Sequence, residues 1–99
     1  MNIINLAQIP NQEFFTIVEG KNINFRLHTF RDVLYCDVEV NGEVVAYSVR
    51  CTNKGWILPS RFNKSIGNFR FETADGVSYP DADNFGDTCT LAYYAPEEI

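Results

Sequence analysis

The dipeptide Asn41-Gly42, set between two runs of alternating apolar residues, constrains this fold more than any other feature of the chain. A two-residue type I′ turn needs positive φ at both central positions, and Asn-Gly adopts that geometry with the least strain. With these residues in the loop, antiparallel partners sum to a constant. Val40 then faces Glu43, Val38 faces Val45, Cys36 faces Tyr47 and Leu34 faces Val49. That register predicts one face that is apolar throughout. The other face carries Tyr35, Asp37 and Glu39 against Val44, Ala46, Ser48 and Arg50, the pattern of a sheet with one buried side. A slip of one residue would turn the whole apolar set outward. On this register Cys51 lies several strand positions from Cys36, beyond the roughly 7 Å between Cα atoms that a disulfide spans, so the two thiols are expected to stay unpaired.

The same alternation extends in both directions. Ile23, Phe25 and Leu27 alternate with Asn22, Asn24, Arg26 and His28, and the run from Glu13 to Glu19 can pair with them across a turn at Gly20-Lys21. A four-strand meander follows. Downstream, Phe69 and Phe71 alternate with Asn68, Arg70 and Glu72 before Asp75-Gly76, a second hairpin signal leading into Val77-Ser78-Tyr79, and Thr88 to Ala95 reads as a closing strand. Residues 53–65 are long for a loop and hold Trp56, Ile57, Leu58 and Phe62, so the segment either packs across an open end or is offered to a partner. No window shows a sustained helical period. The class is all-β, a single domain over residues 1–99 with both ends at the surface. About seven short strands are expected to form a small antiparallel barrel or sandwich, since strands this short need closure or two layers to cover their apolar faces.

Charge and size then narrow the function. Eight Lys and Arg against 13 Asp and Glu leave a formal charge of −5 over 99 residues. Such a chain has no basic footprint for nucleic acid or anionic membrane, and its length supports one modest core with little room for a deep catalytic cleft. No stretch approaches the roughly 20 apolar residues of a membrane span, and the N-terminal residues lack the pattern of a signal peptide, so synthesis in the cytoplasm is expected. Cys36, Cys51 and Cys89 have no metal-ligand spacing, and the single histidine, His28, sits on the polar side of a strand pattern. Asp81, Asp83, Asn84 and Asp87 invite comparison with a calcium loop. Phe85 stands where a third early ligand belongs and Ala92 where the closing glutamate belongs, so a solvated turn is the better reading. There is no phosphate loop and no nucleophile setting. The expectation is a non-enzyme with no cofactor and no metal.

Aromatic residues at surface or loop positions remain: Phe14 or its neighbour Phe15, Tyr35, Trp56, Phe62, Phe85 and one of Tyr93-Tyr94, with Tyr94 assigned outward. Together they exceed what a small monomer exposes without use, and aromatic anchors dominate protein interfaces. Phe14, Tyr35, Trp56, Phe62, Phe85 and Tyr94 are therefore the candidate interface residues.

An ordered set of segments covering Ile9 to Glu98 carries a family resemblance. It comprises Ile9-Pro10-Asn11-Gln12-Glu13-Phe14, Phe25-Arg26-Leu27, Leu34-Tyr35-Cys36-Asp37-Val38 leading to Asn41-Gly42, and Val49-Arg50. It continues through Asp83-Asn84-Phe85-Gly86 to Leu91-Ala92-Tyr93-Tyr94 and an acidic tail. In this it resembles the small baseplate plug proteins of contractile-tailed phages, such as the cyanophage plug. The resemblance implies an all-β virion subunit, placed centrally in the tail baseplate, holding the assembly before contraction and performing no catalysis. Its implied partners are other baseplate, hub and tail-tube proteins, with a homo-oligomeric ring as one way of assembling. The rival reading is a phage-encoded cytosolic β-domain that binds a host protein.

Overall fold

Three tight turns shape the first half of the chain, each holding two successive residues at positive φ: Glu19 and Gly20, Arg31 and Asp32, Asn41 and Gly42. Turns of this hand match the right-handed twist of the strands they join. The computed structural model describes residues 1–76 and 79–99. Its strands are β1 (Asn2–Ile4), β2 (Gln12–Val18), β3 (Lys21–Phe30), β4 (Val33–Val40), β5 (Glu43–Arg50), β6 (Asn68–Thr73) and β7 (Cys89–Tyr94). The three turns link β2 to β5 into the expected antiparallel meander, in the order β2-β3-β4-β5. The first turn is Glu19-Gly20 rather than Gly20-Lys21, because Val18 pairs with Lys21.

A second antiparallel sheet, ordered β1-β7-β6, covers the first. Of the two architectures the sequence allows, the chain adopts the sandwich. β1 is too short to announce itself by alternation, and Ile3 to Ile9 was legible only as an apolar stretch. A strand at 77–79 was also expected, but Val77 and Ser78 lie outside the described residues. Tyr79 is exposed and belongs to no strand.

The core forms where the two sheets face each other. The Phe25 ring of β3 meets Phe69 of β6 edge-on at 4.9 Å, and Phe69 in turn meets Tyr93 of β7 at 5.1 Å. Ile23, Leu27, Val38, Phe71 and Leu91 are buried around them. Burying each such side chain contributes about 1.5–3 kcal/mol, which makes this inter-sheet layer the main source of stability. Among the described residues, Asn68 has a fully enclosed polar side chain. Asn68 Oδ1 accepts from the Leu58 and Phe69 N–H groups, each at 2.8 Å, while Nδ2 donates to Leu58 O at 2.9 Å and to Asn63 Oδ1 at 2.7 Å. Four bonds satisfy the amide and fix residues 58–63 against β6.

The β4–β5 register departs from the expected one. Val40 faces Glu43 and Glu39 faces Val44 as predicted, but Val38 faces Ala46 and Cys36 faces Val49. Two bulges in β5 cause this, one at Val45 and one where Asp37 stands against Tyr47 and Ser48. Each adds one residue to β5, so the first reverses the facing of the strand and the second restores it. Val45 and Ala46 are consequently both buried, whereas Tyr47, assigned to the apolar face, is 75% exposed. Ser48 takes φ of 50°, and its N–H is held by Asp37 Oδ1 at 2.6 Å. The bulges also bring Cys51 two positions, rather than four, beyond the partner of Cys36. The expected separation of these thiols is therefore corrected. Both are buried and free, and contact with Cys36, together with burial, pushes the Cys51 thiol well above its ordinary range.

After β5 the chain runs along the outer edge of β6. Asn53 bridges Phe71 in parallel, Lys54 N–H donates to Phe71 O at 2.7 Å and Ile57 N–H donates to Phe69 O at 2.9 Å. This strip joins the two sheets on one flank. On the other flank β1 and β2 are both edge strands, and among the described residues no strand bridges them.

Candidate functional site

Two of the six candidate aromatics converge, and they do so around Arg70, which the sequence shows only as a polar position in an alternating strand. Arg70 and Tyr94 occupy adjacent strands, β6 and β7, and the strip along β6 lays Trp56 beside them. The Arg70 guanidinium lies 4.7 Å from the centre of the Trp56 ring and 4.6 Å from that of Tyr94. The two rings meet edge to face at 5.4 Å. Arg70 Nε donates to Glu72 Oε2 at 2.9 Å and Nη2 donates to Tyr94 Oη at 3.2 Å, while the Tyr94 hydroxyl donates to Glu72 Oε2.

The electrostatics follow from this closed set of contacts. The Tyr94 hydrogen bond holds the Glu72 carboxyl below the usual carboxylate range against the opposing effect of burial, with Arg70 adding to the shift. The same bond raises the Tyr94 phenol. The result is a half-exposed cluster on the outer face of the smaller sheet, with cation, carboxylate and both rings already in mutual contact. Trp56 remains 37% exposed. Pre-ordered aromatic and arginine side chains lose little entropy on binding, which suits them to protein contact.

The other candidates lie elsewhere. Tyr35, half-buried on β4, stacks on His28 at 5.8 Å on the outer face of the larger sheet. Phe14, also half-buried, lies parallel to Phe25 at 5.6 Å and reaches into the core. Phe62 is half-buried under the Arg61 guanidinium, 4.7 Å from its ring centre. Phe85 is 1% exposed and stacks on Phe71, so its assignment to the surface is corrected: the turn around it folds the ring inward. Phe15, the alternative to Phe14, is 78% exposed on β2, with Ile17 beside it at 70%. Ile17 is signalled by strand alternation, two positions from Phe15 on the same face of β2.

Asp81 to Asp87 form a short turn. Asp81 accepts from the Asp83 N–H at 3.0 Å and residues Ala82–Asn84 make one 3₁₀ turn. Among the described residues no three His, Cys, Asp or Glu side chains converge as a metal site.

A family model described as "Cyanophage baseplate Pam3 plug gp18" matches residues 1–97 of this chain. No curated protein matches it.

Proposed function

The chain belongs to the cyanophage baseplate plug family, and from that membership we propose that it is a structural subunit at the centre of a contractile tail baseplate, near hub and tube, where it helps hold the assembly before contraction. The carrying observation is the extent of the match, which covers residues 1–97 of 99. The all-β sandwich suits such a part, since it presents ordered side chains on both outer faces. We read the protein as non-enzymatic. Its partners on this reading are neighbouring baseplate, hub and tail-tube subunits, with Trp56, Arg70 and Tyr94 as one contact surface and Tyr35 on the opposite face as another. The protein waits in the host cytoplasm and enters the virion tail on assembly.

The test is quantitative mass spectrometry of density-purified phage particles, counting this chain against an abundant tail-tube subunit. A small fixed copy number per particle is expected. Abundant protein in the infected cytosol with none in particles would overturn the proposal and favour a host-binding role.

A further inference from the structure

The sandwich is closed on one flank by the strip along β6 and open on the other, and the open flank has the form of a missing strand. Among the described residues β2 pairs only with β3 and β1 only with β7. Between these two edges runs a groove of about 620 Å³, lined by Ile3, Ile9, Phe15 and Ile17 among others, with Glu13 the one charged side chain along it among the described residues. The two-residue turn at Glu19-Gly20 makes Val18 and Lys21 a hydrogen-bonded pair, so the backbone groups of Ile17, Phe15 and Glu13 point away from β3 towards the free edge. Beside them Phe15 and Ile17 stand 78% and 70% exposed. Natural edge strands are commonly blunted with lysine, proline or a bulge, and β2 has none of these.

Charge decides what fits there. Glu13 is ionised at neutral pH, since the Asn24 hydrogen bond and the Arg26 guanidinium hold its carboxyl low. Arg26 does not cancel the local charge, because it is shared with Asp37 at 3.5 Å, and Asn24 links Glu13 to a further carboxylate, Glu39. Glu19 lies exposed at the far end of the strand. A second copy fits poorly. Antiparallel self-pairing centred on Thr16 would match Phe15 with Ile17 but set Glu13 against Glu19 at both ends; centred on Phe15 it would set Glu13 against the apolar Ile17, and either register joins chains that each carry −5.

We propose that the free edge of β2, with the groove beside it, accepts an extended segment of a different protein, apolar in its middle and basic at both ends, as an added strand. Main-chain bonds to Glu13, Phe15 and Ile17 provide affinity, and the flanking carboxylates select the basic ends. The inference stands on the groove alone, so failure here leaves the baseplate reading intact, and absence from particles leaves this one intact.

The test titrates the full chain with fluorescein-labelled heptapeptide KVFTIVK, its acidic counterpart EVFTIVE, and KVFPIVK, whose central proline cannot continue a ladder. The basic peptide is expected to bind in the micromolar range, with the acidic and proline peptides weaker by about tenfold or more. A Glu13→Lys, Glu19→Lys double variant, shown to be folded by its melting curve, should reverse the preference. Equal binding of KVFTIVK and EVFTIVE, or no binding of either, overturns the proposal. So does a dimer in sedimentation that Phe15→Lys dissolves, which would give the edge to a second copy.

Discussion

At the scale of single residues, the enclosed polar groups are the most informative, because each has one specific duty. Asn68 carries both backbone groups of Leu58 on its amide, so Asn68→Ala strands a buried N–H and a buried C=O. Each costs about 1–3 kcal/mol when unpaired, so a loss of about 3 kcal/mol in unfolding free energy is expected, read from a urea titration. Tyr93 is the second case. Its ring is buried, its hydroxyl donates to Ile66 O at 2.6 Å, and burial, with Glu19, Glu97 and Glu98 adding to the effect, pushes the phenol up to about 12. A folded value above the unfolded one of about 10 means the contribution is whole below pH 10 and is lost as pH rises towards 12. The urea midpoint should therefore fall over that window, and Tyr93→Phe should fall less steeply across it. Neither duty was legible in the sequence. Asn68 was read as the polar partner in an alternating strand, and the bonds that enclose it come from Leu58 and Asn63, whose placement depends on the strip along β6.

At the scale of elements, alternation made β3, β4 and β6 legible because each turns one row of apolar side chains to the core; β2 is legible through its pairing with β3, and β7 only as a closing run, its Leu91, Ala92 and Tyr93 all being buried. β5 follows that rule only at its ends. Its consecutive apolar residues Val44, Val45 and Ala46 were the available sign of the first bulge, while the second, where Ser48 takes positive φ, left no mark in the sequence. Turn chemistry is equally uneven. Asn41-Gly42 is the favoured pair, whereas the same backbone at Arg31-Asp32 is held by residues that fit it less well, with φ of 51° and 63°. Asp32→Gly should therefore stabilise the protein by about 0.5–1 kcal/mol. Gly42→Ala should destabilise it by about 1 kcal/mol through backbone strain alone, since nothing lies within 4 Å of the added Cβ at φ +84°. Opposite shifts in melting temperature at equivalent positions of two turns would tie both effects to the backbone. Shifts of the same sign would show that the turns are governed by their tertiary surroundings.

At the scale of the whole molecule, sequence reasoning left barrel and sandwich equally open, because the choice depends on what happens at the sheet edges. One flank is joined by residues 53–57, which the sequence showed only as a long loop with large side chains, and that same strip carries Trp56 to Arg70 and Tyr94. Fold and candidate interface thus share one element, and the question for Trp56 is which duty dominates. In the isolated protein its ring is partly in water, so its contact with Arg70 is worth about 0.5–1 kcal/mol. Burial under a neighbouring subunit would desolvate the pair and strengthen it, as at interface hot spots worth about 2 kcal/mol or more. Trp56→Ala should accordingly lower the stability of the free chain by about 1 kcal/mol. Its affinity for purified neighbouring baseplate subunits should fall by about thirtyfold, the equivalent of that hot-spot energy. Phe85→Ala should show the reverse balance. A ring buried at 1% costs about 3–5 kcal/mol of folding when truncated, and the fraction that remains folded should bind neighbours as before. Melting curves and binding isotherms on the two variants separate these cases. If Trp56→Ala loses as much stability as Phe85→Ala, the ring belongs to the core, and the contact surface must be sought on the opposite face around Tyr35.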